Sequence, residues 1–245
     1  MNTDNPTGHV VYQGRSLIGN GEPIVAIITW HSSNRKTGDM VQLWILPAHL
    51  DPLAAVQAND NHGACGSCPL QGVFNASIGR IQGRICYVNL GQAPLSIFKA
   101  WRRGAYPTYN HRNDKRRLHG RRLRLGAYGD PAALPVRLLR QLTSAADGWT
   151  GYTHQLEGMP RRRADAVASM CMASTSTDAE RRRWQARGYR TFHVLADGDG
   201  VPEGDVMCPN TTHGVNCDRC GLCPGSSVHA KSIVIGGHGV GAANL

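Results

Sequence analysis

The chain has 245 residues, with 27 Lys and Arg against 17 Asp and Glu, and eight cysteines. That length buries a full core without disulfide staples, which sets aside the small secreted disulfide scaffolds. A formal net charge of +10 points to polyanionic partners, and the absence of a long apolar run sets aside a membrane-spanning protein.

The opening segment MNTDNPTGHVVYQGR has no apolar stretch of the kind a signal peptide carries, so a cytoplasmic location is expected. Residues 1–22 read as a polar lead-in. Continuous apolar runs at 24–29 (IVAIIT) and 41–46 (VQLWIL) are predicted as buried strands. Residues 51–82 read as loop. The run 85–90 (ICYVNL) reads as a strand feeding a helix over LSIFKAWRR. Pro94 suits the first turn of that helix, and Leu95, Phe98 and Trp101 share one face.

The stretch 99–124 reads KAWRRGAYPTYNHRNDKRRLHGRRLR, ten Lys and Arg with Asp114 as its one acid. Its basic residues are Lys99, Arg102, Arg103, Arg112, Lys115, Arg116, Arg117, Arg121, Arg122 and Arg124, interleaved with Trp101, Tyr106 and Tyr109. Cationic side chains bind phosphates by releasing counterions, and aromatic faces stack on bases. The segment is therefore predicted to bind DNA or RNA. Arginine triplets at 161–163 and 181–183 repeat the bias.

Beyond it, 123–128 (LRLGAY) is predicted as a strand, and Asp130-Pro131 as the opening of a helix with Leu134, Leu138, Leu139 and Leu142 on one stripe. Further strands are predicted at 149–154 (WTGYTH), 166–173 (AVASMCMA), 189–195 (YRTFHVL) and 232–235 (SIVI). Thr177 and Glu180 have capping-box spacing at the start of DAERRRWQAR, and Gly188 suits its C-terminal cap. Alternating strands and helices define an α/β protein with a parallel sheet. The expected architecture is a compact or partial (β/α) barrel over 1–205, with a cysteine-rich extension over 206–245 packed on it; a doubly wound sheet is the alternative. Such folds place their chemistry at the C-terminal ends of strands. Residues Gly129, Asp130, His154, Ser174, Thr175, Ser176, Asp197 and Asp199 fall there, and His229 and His238 are further possible ligands.

The cysteines form two sets. Cys208, Cys217, Cys220 and Cys223 follow a C-x8-C-x2-C-x2-C frame. Thiolates hold soft metals, and two-residue gaps let neighbouring sulfurs converge, so this set is predicted to ligate iron–sulfur or zinc. Cys65, Cys68 and Cys86 form a second, three-membered set. Cys171 stands alone and reads as a small buried hydrophobe.

Three segments together resemble the radical-SAM iron–sulfur enzymes. LRLGAYGDPAALPVRLLRQL resembles the family's Gly-Gly-Glu-Pro strand end, with Tyr128, Gly129, Asp130 and Pro131 at the matching positions. AVASMCMASTSTDAERRRWQARGYRTFHVLA resembles a later strand–helix–strand unit, with Ser174 and Ser176 at the strand end. Cys65, Cys68 and Cys86 stand where the family binds its [4Fe–4S] cluster, in C-x2-C-x17-C rather than the family's C-x3-C-x2-C spacing. The cysteine-rich tail is similar to the auxiliary-cluster extensions of many members. Small phage-encoded proteins share the order CYV…GDP…C-x2-C-x2-C. The resemblance covers roughly 60–240 and implies one or two iron–sulfur clusters. It also implies S-adenosylmethionine held by Tyr128, Gly129, Asp130, Ser174 and Ser176, and a catalytic contribution from Asp130. Together with the basic segment, it suggests modification of a nucleic acid or nucleotide in the host cytoplasm. Two other readings stay open. One is a zinc-containing guanine transglycosylase-like enzyme with Asp130 or Asp197 as nucleophile. The other is a zinc-stabilised nucleic-acid-binding protein without catalysis.

Overall fold

The computed structural model describes residues 5–196 and 198–237; Asp197 and His238, two of the candidate residues, lie outside the described residues. The chain begins with an antiparallel meander of β1 (Gly8–Arg15), β2 (Pro23–Thr29) and β3 (Val41–Pro47). Two short helices, α1 (Pro52–Gln57) and α2 (His62–Cys65), precede a hairpin of β4 (Val73–Asn75) and β5 (Arg80–Gln82). Then come α3 (Ala93–Arg102), α4 (His111–Asp114), β6 (Arg122–Tyr128) and α5 (Val136–Ala145). They are followed by β7 (Gly148–Thr150), β8 (Tyr152–Thr153), α6 (Arg161–Ala168), β9 (Met172–Thr175), α7 (Asp178–Ala186) and β10 (Thr191–Leu195). The last elements are β11 (Val206–Met207), α8 (Pro209–His213), α9 (Cys217–Cys220) and β12 (Ile233–Gly236).

The fold is mixed α/β. One five-stranded sheet has the order β1-β2-β3-β6-β7 and a second the order β11-β12-β10-β9-β8. From β3 onward, and throughout the second sheet, neighbouring strands are parallel. Only Gly151 separates β7 from β8, so the chain passes from the first sheet into the second there. Met172 N–H donates to Gly151 O at 2.9 Å, while Gly151 N–H donates to Cys223 O at 3.1 Å. The tail is woven into this second sheet: β12 lies between β10 and β11.

The apolar runs are buried because both sheet faces are covered. Side chains alternate across a strand. Ile24, Ala26 and Ile28 of β2 accordingly join Leu43, Ile45, Leu123, Leu125, Leu139 and Leu142 in one core. Val25 and Ile27 join Leu46, Val56, Phe98 and Tyr128 in another. Full burial of each large aliphatic side chain contributes about 1.5–3 kcal/mol. The capping box of α7 forms as expected, with Thr177 and Glu180 each satisfying the other's backbone N–H.

Several sequence expectations change. The lead-in contains β1, whose pairing with β2 satisfies its backbone. Residues 85–90 form no strand. Asp130-Pro131 opens a single 3-10 turn (Pro131–Ala133), and the helix begins only after Pro135, which cannot donate to a preceding turn. The run 166–173 divides: its first half closes α6 and its end starts β9, so the arginine triplet at 161–163 opens a helix. The expected strand at 149–154 is two strands broken at Gly151.

Candidate functional site

Cys65, Cys68 and Cys86 line one cavity of about 150 Å³. Cys65 ends α2, and Cys68 N–H donates back to Cys65 O at 3.1 Å. The β4–β5 hairpin then returns the chain. Leu70 O accepts from both Ile85 N–H (3.1 Å) and Cys86 N–H (2.8 Å). Arg84 braces the returning segment by donating to Gln71 O and Val88 O. Gln155, 90 positions from Cys65, donates to Cys65 O at 3.2 Å, and its Oε1 accepts from Ser67 N–H at 3.1 Å. Burial pushes the Cys65 thiol up to about 12, with the charge of Cys86 acting in the same direction. Burial likewise raises Cys68, helped by the charge of Cys65.

The opposite wall comes from strand ends. Gly126, Ala127, Tyr128, Gly129 and Asp130 line it from β6, His154 from β8, Ser174 from β9, Val194 from β10 and Ile235 from β12. In the β3–β6 pairing Gln42 faces Arg124, yet Trp44 faces Tyr128, so β6 bulges here. A bulge turns backbone toward a cavity. Gly129 is required at its end. Its φ is +79°, and a Cβ would stand 2.4 Å from Ile45 O.

Asp130 is 6% exposed. Its Oδ1 accepts from Ala132 N–H (2.9 Å) and Thr153 Oγ1 (2.7 Å), and its Oδ2 from His154 N–H (2.9 Å). Burial outweighs these bonds and raises its carboxyl to about 6. The carboxylate thus holds strand ends together, and a nucleophilic role would require breaking those bonds. Burial lowers His154 to about 4, so its imidazole is neutral at pH 7. Ser174 lines the cavity, whereas Ser176 caps toward α7, its N–H donating to Glu180 Oε2 at 3.0 Å. His62 faces Gly66 O and a separate cavity.

Cys208, Cys217, Cys220 and Cys223 together line a second cavity, of about 90 Å³, with Arg124, Thr150, Tyr152 and Phe192. Tyr87, Tyr152, Phe192 and Ile235 line both cavities and form the wall between them. Burial pushes Cys223 up to about 12; a hydrogen bond from Tyr152 and the charges of Cys208, Cys217 and Cys220 also act on it. All eight cysteines are free thiols, and Cys171 is buried as expected. Among the described residues, no group of three or more His, Cys, Asp or Glu side chains is placed to hold a metal ion as it stands.

The basic segment divides by exposure. Lys99, Arg102, Arg103, Arg112, Lys115 and Arg116 are exposed. Arg117 is half-buried over the Trp30 ring (5.0 Å) and donates to Asn5. Arg121 pairs with Asp39 at 3.2 Å. Arg122 is half-buried and Arg124 buried. The aromatics are committed to packing. Trp101 meets Phe98 edge-on at 5.6 Å, Tyr106 joins the same core, and Tyr109 packs on the other.

Gln155, bonded to Cys65 O and Ser67 N–H, and Arg190, which donates to Leu222 O and Gly225 O, have no sequence signature, because each acts on residues distant in the chain. No helix among the described residues is long and apolar enough to cross a membrane. No protein-family model matches the chain, and neither the curated proteins nor the solved structures contain a match to it.

Proposed function

We propose that this chain is a radical-SAM-like iron–sulfur enzyme acting on a nucleic acid or nucleotide. The observation that carries the reading is a single cavity shared by three thiols and the bulged end of β6. Three thiols are the donor set of a cluster with one iron left open. A cluster also spreads its ligands over several irons, so its sulfurs need not crowd around one ion. We read the parallel strands, continuous through Gly151, as a partial (β/α) barrel with this cavity at its C-terminal mouth. When bound, such a cluster supplies an electron for the cleavage of S-adenosylmethionine.

The protein's own residues have separate tasks. Cys65, Cys68 and Cys86 would hold the cluster. The backbone of Gly126–Gly129 and the Ser174 hydroxyl would hold the amino-acid part of S-adenosylmethionine. Asp130 keeps that wall in place. Phe192, Val194 and Ile235 make it apolar and exclude water. The second cysteine set would be a fully ligated centre, structural or auxiliary. The exposed basic residues from Lys99 to Arg116 would hold phosphates, and a duplex substrate would present its base by flipping it out.

Anaerobic reconstitution with iron and sulfide tests the reading. A brown protein that forms 5′-deoxyadenosine on reduction, and loses that activity in Cys86→Ala, is expected. A colourless protein holding only zinc would overturn it and leave the transglycosylase-like or non-catalytic zinc readings.

A further inference from the structure

The first sheet carries a polar row among apolar ones. Strand pairing sets Thr29 of β2 beside Gln42 of β3, Gln42 beside Arg124 of β6, and Arg124 beside Thr150 of β7. Residues paired across strands share one face of the sheet. All four are buried, with only 2–8% of their surface exposed. Buried polar groups cost free energy unless they are partnered. A sheet that needed only a core would carry aliphatic side chains there, as it does at Val41, Leu43, Leu123 and Leu125.

Three members of the row, Thr29, Gln42 and Arg124, line an open cavity of about 650 Å³. Small-molecule sites run to about 300–1,000 Å³. No Asp or Glu among the described residues lines it. Arg124 Nη2 donates to Tyr87 Oη at 2.6 Å, and a guanidinium carries more N–H donors than that one bond uses. No carboxylate pairs with Arg124 among the described residues. A buried cation without a negative partner is costly, so the open space beside it suits an anion. Gln92, Ala93 and Pro94, at the start of α3, line the same cavity, and Gln92 makes no side-chain cap. The positive end of that helix dipole favours an anion too. The remaining wall is aromatic. Trp44 and Tyr106 are half-buried in it, and Trp44 Nε1 donates to Thr29 Oγ1 at 2.9 Å, which fixes the indole. Fixed aromatic faces stack on bases. Tyr87, Val88 and Ala127 line both this cavity and that of Cys65, Cys68 and Cys86, so a ligand here abuts the first cysteine set.

We propose that this cavity seats one nucleotide unit, with its phosphate on Arg124 and its base against Trp44. That the unit is the substrate rests on the enzyme reading above; its binding requires no cluster. Arg124 thereby has a task apart from the exposed cations of the basic run: it holds the one nucleotide beside the first cysteine cavity, while they hold the flanking phosphates.

The test is calorimetric titration of the full-length protein with nucleoside 5′-monophosphates, the matching nucleosides and inorganic phosphate. A monophosphate should bind roughly 10–100-fold more tightly than its nucleoside, the usual gain from charge-assisted hydrogen bonds. Arg124→Gln should remove that difference. Trp44→Leu should weaken nucleoside and monophosphate alike, by roughly tenfold. Wild-type affinity for the monophosphate in a folded Arg124→Gln protein overturns the proposal. So does inorganic phosphate that binds as tightly as the monophosphate. If Arg124→Gln does not fold, Ala93→Trp decides. Ala93 is exposed at the start of α3, so an indole there obstructs the cavity without entering the core; binding should be lost, and wild-type binding overturns the proposal. A single-stranded trinucleotide that binds more tightly than the monophosphate places the unit within a strand, and equal binding makes it a free nucleotide; both support the site. Nucleotide binding by a protein that assembles no cluster keeps this site and removes the enzyme reading, whereas a brown protein that forms 5′-deoxyadenosine but binds no nucleotide does the reverse.

Discussion

The backbone N–H of His154 donates to Asp130 Oδ2 at 2.9 Å, fastening the end of β8 to the end of β6 beside the first cysteine cavity. With the bonds from Ala132 and Thr153, one side chain satisfies three buried donors. Asp130→Ala strands all three, so a loss of about 3–5 kcal/mol in urea unfolding is expected. Asp130→Asn should lose less, because one oxygen still accepts. A loss below about 1 kcal/mol in the alanine variant would mean that water replaces the carboxylate.

His154 gives a pH signature of known sign. Its folded value is lowered from 6.5 to about 4, so between those values the unfolded chain binds the extra proton. Its contribution is therefore fully present above pH 6.5 and is lost as pH falls toward 4. His154→Gln removes this term. The variant should lose less stability than the wild type between pH 7.5 and pH 5, by about 2 kcal/mol. Asp130, raised to about 6, acts in the opposite sense but is present in both proteins. Parallel stability–pH curves for the two would show that His154 titrates normally.

The exposed basic residues should set the salt dependence of nucleic-acid binding. Replacing Arg112, Lys115 and Arg116 with Ala should weaken binding to many sequences alike. It should also reduce the slope of log K against log[salt] by about 0.9 for each duplex-DNA phosphate that the protein no longer neutralises. Arg117→Ala and Arg121→Ala should instead lower stability, because these side chains are engaged with Trp30 and Asp39. Filter-binding and unfolding measurements on both groups separate the roles; an unchanged slope in the triple variant would make that surface a solvated one.

Gly151 is where the chain changes sheets. A Cβ there would stand 2.9 Å from Cys171 Sγ and 2.9 Å from Met170 O. Gly151→Ala should cost about 1–3 kcal/mol by overpacking. Combining it with Cys171→Ala should show coupling, the pair costing less than the two single losses added. Strict additivity would place the strain on the Met170 backbone alone.

Local pattern made much of this protein legible. The apolar runs of β2 and β3 are buried on both faces, and β6 and β10 follow their apolar segments. The Thr177–Glu180 box starts α7, and Pro94 starts α3, because caps and periodicity act within a few residues. The short spacing of Cys217, Cys220 and Cys223 likewise marked them as a set. Tertiary structure decided the rest. Cys86 reaches Cys65 and Cys68 because a hairpin returns the chain onto Leu70 O. Asp130 is engaged by a strand more than twenty residues later. Of ten cations in one basic run, six face solvent, three are half-buried and Arg124 turns inward to a cysteine cavity. A run of like charges records its composition but not its exposure, since exposure depends on which distant strands and loops close over each side chain.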